Sequence, residues 1–311
     1  MNILVTGGAG FIGSNLIDEL VIDNTVICVD KLNYGMSNIN HLLNNENFKF
    51  FGIDVTDYDA LNDIFLNHQI DMVYHLAANS DIKQGTFGSE IDFKDTFLTT
   101  KVLLDVMKNN NVKNLFFSST SAVYGDKKEV LNELTPDLRP VSYYGGAKLA
   151  SEAFISSFSA MCDMNVVIFR FPNVIGKRLT HGVIFDFINK LKNDPKKLEI
   201  LGNGLQCKPY IYVLDLVDAI IKMTESMNKG IDLYNISVIG NGTTVNEIAD
   251  IVVDEMKLKD VEYIYSGSDR GWKGDVPKFS YDITKILNTG WKPKYNSNEA
   301  VRKTVKDVLG E

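Results

Sequence analysis

The sequence contains no apolar run approaching the roughly 18 residues that a membrane-spanning helix needs, so no membrane partner is expected. Its opening residues, MNILVTGG, read as a short strand and lack the basic region and long apolar core of a secretory leader. Cysteine is scarce. The three present, Cys28, Cys162 and Cys207, lie far apart with no CxxC pair. That excludes a disulfide framework and fits buried thiols in a reducing, cytoplasmic setting, and no metal site is expected. Positive charge is also short: 32 Lys and Arg face 40 Asp and Glu, for a net charge of −8. Such a balance argues against general nucleic-acid binding, which usually wants a basic face. No repeat and no low-complexity segment is found.

What remains is ordinary for a globular protein: 311 residues, 45% hydrophobic and 23% charged, enough for one large domain or two intimate ones. The first half alternates short apolar runs with amphipathic stretches. NILVTGG is followed by FIGSNLIDELVID and TVICVD, and later by KFFGIDV, MVYHLAA and NLFFSST. Apolar runs of four or five residues, spaced by helices, read as buried parallel strands. The expected fold class is therefore α/β, a Rossmann doubly wound parallel sheet with a smaller α+β C-terminal substrate domain. After residue 176 the rhythm changes to mixed helix, strand and loop, with a hairpin expected at Gly202–Gly204. The expected domains are 1–176, with 211–237 returning to it, and 177–311.

TGGAGFIG at 6–13 follows a strand and opens a helix, with Gly7, Gly10 and Gly13 in G-x-x-G-x-x-G spacing. Missing side chains let such a turn tighten and approach a pyrophosphate, and the helix N-terminus offers free N–H groups and partial positive charge. Asp30 ends the second strand, where a carboxylate accepts from ribose hydroxyls and repels a 2′-phosphate. That favours NAD over NADP, although Lys31 adjoins it and weakens the inference. Asp54, read as ending the third strand, can reach an adenine amino group or merely hold a turn.

SYYGGAKLASE at 142–152 carries Tyr144 and Lys148 on one helical face. With 13 tyrosines and 27 lysines, chance alone gives about one Tyr-x-x-x-Lys, and such short motifs carry that risk. The chain has three: Tyr124/Lys128, Tyr144/Lys148 and Tyr281/Lys285. Only the second lies on a helix after the fifth strand. An unperturbed tyrosine titrates near 10, too high for a base near neutrality, and a neighbouring cation favours its phenolate.

Taken in order, TGGAGFIG, Asp54-Val55, HLAA at 75–78, SSTSAVYG at 118–125 and Tyr144-x-x-x-Lys148 resemble the extended short-chain dehydrogenase/reductase family, and within it the nucleotide-sugar epimerases and dehydratases, over nearly the whole chain. The resemblance implies NAD held by Gly7, Gly10, Phe11, Ile12, Gly13, Asp30, Asn33, Asp54, Val55, Leu76, Ala77, Ala78, Tyr144 and Lys148. It implies Thr120, Tyr144 and Lys148 as the catalytic set; Ser119 and Ser121 are rivals that face opposite to Thr120 on a strand. It implies a nucleoside-diphosphate sugar, of UDP type, contacted by Asn173, Gln206, Lys208, Tyr210, Arg270 and Asp275, with Tyr210 able to stack on a base or to sit in a core. Phe279 falls at a position that gates bulky sugars. A homodimer through the helices at 90–110 and 144–160 is also implied.

The chain departs from that pattern at Leu98, Ser80 and Lys208-Pro209. In the dehydratases an Asp-Glu pair follows the threonine, whereas here Ser121 and Ala122 do. The expected activity is thus NAD-dependent 4-epimerisation. An NAD-linked reductase or dehydratase is the enzymic rival, and a dinucleotide-sensing Rossmann protein the non-enzymic one. Gly145 and Gly146 read as clearance for the nicotinamide or the substrate.

Overall fold

A computed structural model describes residues 1–33, 35–79, 88–267, 276 and 278–310. The strands are β1 (Asn2–Thr6), β2 (Thr25–Val29), β3 (Phe48–Phe51), β4 (Met72–His75), β5 (Asn114–Thr120), β6 (Asn165–Phe171), β7 (Asn173–Ile175), β8 (Lys197–Ile200), β9 (Cys207–Lys208), β10 (Tyr210–Tyr212), β11 (Gly230–Asn235), β12 (Thr243–Thr244) and β13 (Glu262–Tyr265). The α-helices are α1 (Phe11–Leu20), α2 (Tyr58–Asn67), α3 (Glu90–Asp92), α4 (Thr99–Asn109), α5 (Tyr143–Cys162), α6 (Val183–Asn193), α7 (Val213–Glu225), α8 (Val245–Glu255), α9 (Thr284–Leu287) and α10 (Ser297–Leu309). Between α3 and α4 the backbone is π-helical over Phe93–Leu98.

Seven strands form one sheet in the order β11-β6-β5-β4-β1-β2-β3. The β1 strand pairs in parallel with both β2 and β4, and the strand order reverses there. That reversal is the switch point at which open α/β sheets bind ligands. The strands are mostly apolar because both faces of the sheet are covered. Leu4, Ile27, Val73, Leu115 and Val166 are fully buried, packed with α2 and α4 residues such as Leu61, Leu103 and Met107.

The chain divides into two compact units. The first comprises Met1–Gly125, Asp137–Arg170 and Ile220–Tyr234; the second comprises Asp126–Pro136, Phe171–Ala219 and Asn235–Glu311. Of the stretch 211–237, only Ile220–Tyr234 belongs to the first unit, and 126–136 belongs to the second. The second unit has its own core, in which Phe187 and Ile188 of α6, Ile248 of α8 and Val301 of α10 meet.

Two expectations are corrected. Gly202–Gly204 is not a hairpin: β8 pairs in parallel with β13, while β9 pairs antiparallel with β12. The positive φ of Gly204 turns the chain so closely past α8 that a Cβ there would stand 1.9 Å from Asn246 Oδ1. Asp54 lies beyond β3, which ends at Phe51. No described helix is long and apolar enough to cross a membrane.

Candidate functional site

The glycine turn after β1 divides its labour. Gly7 has φ +69°, and a Cβ on it would meet Ala77 N at 2.7 Å; one on Gly13 would meet Gly7 O at 2.3 Å. These two glycines seat α1 against the ends of β1 and β4. Gly10 differs: a Cβ there would touch only Gly7 O, at 3.2 Å, among the described residues. Gly10 also caps α1 without a side-chain hydrogen bond. The N–H groups that open α1, around Phe11, Ile12 and Gly13, therefore face a cradle fit for an anion.

Leu76, Ala77 and Ala78 follow β4 directly. The Ala77 N–H donates to Thr6 Oγ1 at 3.3 Å and the Leu76 N–H to Thr6 O at 3.1 Å. At the end of β2, Asp30 accepts from Ala9 N–H (3.0 Å) and Leu32 N–H (2.7 Å). Burial raises its pKa, while those two bonds and Lys31 oppose the rise. Each oxygen keeps a lone pair for a ribose hydroxyl. Asn33 is exposed nearby in sequence, and Val55 is buried. Asp54 Oδ1 accepts from the Thr56 N–H (2.9 Å) and hydroxyl (2.8 Å), so of its two readings this oxygen serves the turn. The residues present thus fit two parts of a dinucleotide: its central pyrophosphate at the glycine turn and a ribose diol at Asp30.

The catalytic candidates converge in the same unit. Thr120 ends β5, and its Oγ1 accepts from Ala122 N–H at 3.2 Å. Its side chain also hydrogen-bonds Tyr144. Ser119, one residue earlier, points the other way and bonds Glu152. Ser142 caps helix α5, its hydroxyl accepting from Gly145 N–H at 3.1 Å. That cap places Tyr144 half-buried in the first turn, with Lys148 one turn further in.

Lys148 is 1% exposed. Its Nζ donates to Ser118 O at 2.6 Å and lies 4.6 Å from the Phe117 ring centroid and 6.0 Å from that of Tyr144. Burial pulls its pKa down to about 7, against the pull of Glu152. Burial and Asp92 push Tyr144 above its ordinary value, and the Thr120 hydrogen bond opposes them. The other Tyr/Lys pairs do not share this setting. Tyr124 ends a 3-10 turn over Ser121–Tyr124 and is fully buried beneath the Arg170 guanidinium, 4.8 Å from it. Tyr281 belongs to the second unit.

A profile of the "NAD dependent epimerase/dehydratase family" matches residues 3–237. The chain belongs to that family. It is 32% identical over 309 residues to a putative UDP-glucose 4-epimerase of Methanocaldococcus jannaschii, covering 97% of each chain. It is 29% identical to human dTDP-D-glucose 4,6-dehydratase, covering 98% of this chain and 89% of the relative. A crystal structure of the Thermotoga maritima UDP-glucose 4-epimerase with UDP-glucose is 31% identical, with TM-score 0.89 and coverage of 100% and 99%. NAD is thus the cofactor of the family, and the chemistry of the glycine turn and Asp30 fits it.

In the second unit, Asn173 and Tyr210 are direct partners in the parallel pair β7–β10. Tyr210 is 6% exposed and packs in that unit's core, which is the second of the two roles its sequence allowed. Lys208 is half-buried on β9, opposite Thr243. Gln206 is buried, and its Oε1 has no partner among the described residues. Arg270, Asp275 and Ser80 lie outside the described residues. Phe279 is half-buried, 5.6 Å from the Tyr281 ring. Leu98 packs against the first unit's core, as an apolar residue should.

Sequence reading missed three groups. Glu152 forms a buried two-point ion pair with Arg170 at 3.0 and 2.5 Å. Its signals were its place one turn after Lys148 and an arginine inside the apolar run NVVIFRF. Asp92, 1% exposed, accepts from Asn79 Nδ2 at 2.9 Å and leaves Oδ2 without a partner among the described residues. His75 is buried between Thr6 and Thr100. For neither of these did a spacing rule exist.

Proposed function

We propose that this chain is an NAD-dependent 4-epimerase of a nucleoside-diphosphate sugar, of the UDP-glucose/UDP-galactose or UDP-N-acetylhexosamine type. The observation that carries this reading is the company Thr120 keeps. Tyr144 and Lys148 adjoin it, as oxidation of a sugar hydroxyl requires, yet Ser121 and Ala122 follow it. Elimination of water from C5–C6 needs an acid that moves a proton there, and neither residue can serve.

Bound NAD supplies the hydride acceptor and donor, and its positive ring favours the Tyr144 phenolate. Tyr144 takes the proton of the 4-hydroxyl and returns it after the 4-keto sugar has turned over. Thr120 donates to the sugar oxygen while charge develops on it. Lys148 holds positive charge beside the phenol and is itself anchored on Ser118 O. Asn173, Gln206 and Lys208 are proposed to hold the nucleotide sugar, with Arg270 and Asp275.

The proposed assembly is a homodimer, and the proposed setting the cytoplasm. Helix α5 turns an apolar face outward, with Phe154 41% and Met161 85% exposed. Beside them, Phe158, Ser157, Cys162 and Lys108 of α4 line a cavity of about 280 Å³. A second copy of the same face is the occupant that makes both faces buried.

The test is incubation with a panel of UDP- and dTDP-sugars, with products resolved by NMR. Interconversion of C4 epimers without net NADH consumption is expected. A 4-keto-6-deoxy product would point to the dehydratases, and stoichiometric NADH consumption to a reductase. Tyr144→Phe should lower turnover by roughly a hundred- to ten-thousandfold, the weight of a general base, while NAD binding measured by calorimetry persists. Full activity in that variant would remove Tyr144 from its role.

A further inference from the structure

Lys31 follows Asp30 directly, so the ribose end of the dinucleotide site carries opposite charges on adjacent residues. An unengaged ammonium there is what a 2′-phosphate would recruit. Lys31 is engaged. Its Nζ lies 2.7 Å from Asp95 Oδ1, and the Asp95 side chain is only 14% exposed.

Asp95 arrives from the π-helical segment Phe93–Leu98, far away in sequence. Short π-helical stretches inside α-helices occur frequently at functional sites. The preceding residue repeats the pattern, with Lys94 Nζ 3.4 Å from Asp54 Oδ2. Two ion pairs thus run from this segment to the loops after β2 and β3. Lys31 also acts electrostatically on Asp30 and Asp54, and Lys94 acts on Asp54. The local balance is three carboxylates against two ammonium groups.

We infer that Asp95 is a specificity-determining residue for the dinucleotide: by holding Lys31 it withholds the cation that would accept a 2′-phosphate, so the site takes NAD and rejects NADP. Asp30 repels the extra phosphate directly, and Asp95 adds a second barrier. A 2′-phosphate must draw Lys31 off its partner and then lie beside the carboxylate left behind. Asp95→Asn removes both obstacles while Asp30 keeps its bonds to Ala9 and Leu32.

Calorimetric titration with NAD⁺ and with NADP⁺ tests this in the full chain. The proteins are the wild type, Asp95→Asn, Lys31→Met and the double variant. Asp95→Asn should shift the ratio of the two affinities roughly tenfold toward NADP⁺, the scale expected of one partly buried charge. That shift should shrink as salt rises from about 0.05 to 0.5 M. Measured against Lys31→Met alone, the double variant should lose most of that shift, because the freed lysine is its main source and only the relief of the Asp95 charge remains. An unchanged ratio in Asp95→Asn overturns the inference. So does an undiminished shift in the double variant. Melting temperatures within a few degrees of wild type exclude a general loss of structure as the cause.

Discussion

Gly145 and Gly146 sit side by side, yet they answer to different forces. Both lie in the first turn of α5, where Ser142 caps the helix, so the cost of glycine is smaller than in a helix interior. A Cβ on Gly145 would meet Ala122 O at 2.6 Å and Pro140 Cβ at 3.1 Å. Gly145 therefore lets α5 close onto the turn after β5, which is what brings Tyr144 to Thr120. Gly146 is exposed, and a Cβ placed on it would meet no described atom within 4 Å. Two residues from Tyr144, it stands about 200° round the helix, away from the Tyr144/Lys148 face. Contact with Ala122 and Pro140 thus accounts for Gly145, whereas Gly146 borders open space. Gly146→Ala should stabilise the protein by about 0.5 kcal/mol and leave turnover intact. Gly145→Ala should destabilise it by about 1–3 kcal/mol through overpacking and lower turnover as Tyr144 moves. Urea denaturation and turnover assays read both outcomes; equal effects from the two variants would refute the division.

At the level of elements, what could be read in the sequence and what could not separate by range. The β1 turn, the apolar strands and the Tyr144/Lys148 helix were legible because each rests on local spacing. Pairing partners were not. Nothing in LEILGNGLQCK says that β8 will take β13 and β9 will take β12, since those partners arrive from distant sequence. The Glu152–Arg170 pair was half legible, because a charged residue in a central strand demands a partner without naming it. The outward face of α5 was legible only as apolar residues that could equally have been core. Its packing decides the matter: Phe97 meets Phe154 edge-on at 5.0 Å, and Phe93, its other ring neighbour, is 53% exposed. If a second copy covers this face, the 41% of Phe154 still open contributes about 0.6–1.2 kcal/mol on burial, twice per dimer. Phe154→Asp should then raise the dimer dissociation constant at least a hundredfold, seen by sedimentation at micromolar protein. A wild type that sediments as a monomer would discard the dimer.

For the whole molecule, the decisive group is one that the chemistry does not use. His75 ends β4 at the centre of the sheet, fully buried, and bonds on both ring nitrogens. The Thr100 hydroxyl donates to Thr96 O at 2.9 Å, so it accepts from Nε2–H; Nδ1 in turn accepts from the Thr6 hydroxyl at 2.6 Å. The network thus holds a neutral ring with its proton on Nε2. Burial, with Lys148 as a smaller cause, pulls the His75 pKa from 6.5 down to about 3. The sign follows from proton counting. Above about pH 6.5 neither the folded nor the unfolded chain protonates this ring, and it contributes no pH dependence. Between 6.5 and 3 the unfolded chain takes up a proton that the folded chain refuses, so stability falls as pH falls, by up to about 1.4 kcal/mol per pH unit. In urea unfolding at pH 7.5, 6 and 5, the wild type should lose stability more steeply than His75→Gln. The variant starts lower, because it gives up the two-sided hydrogen bonding, but its slope should be shallower by about one proton's worth. Parallel slopes would mean that other buried groups carry the acid sensitivity. The same proton refused by His75 keeps a second positive charge away from Lys148, and so protects the charge pattern beside Tyr144 from mild acid.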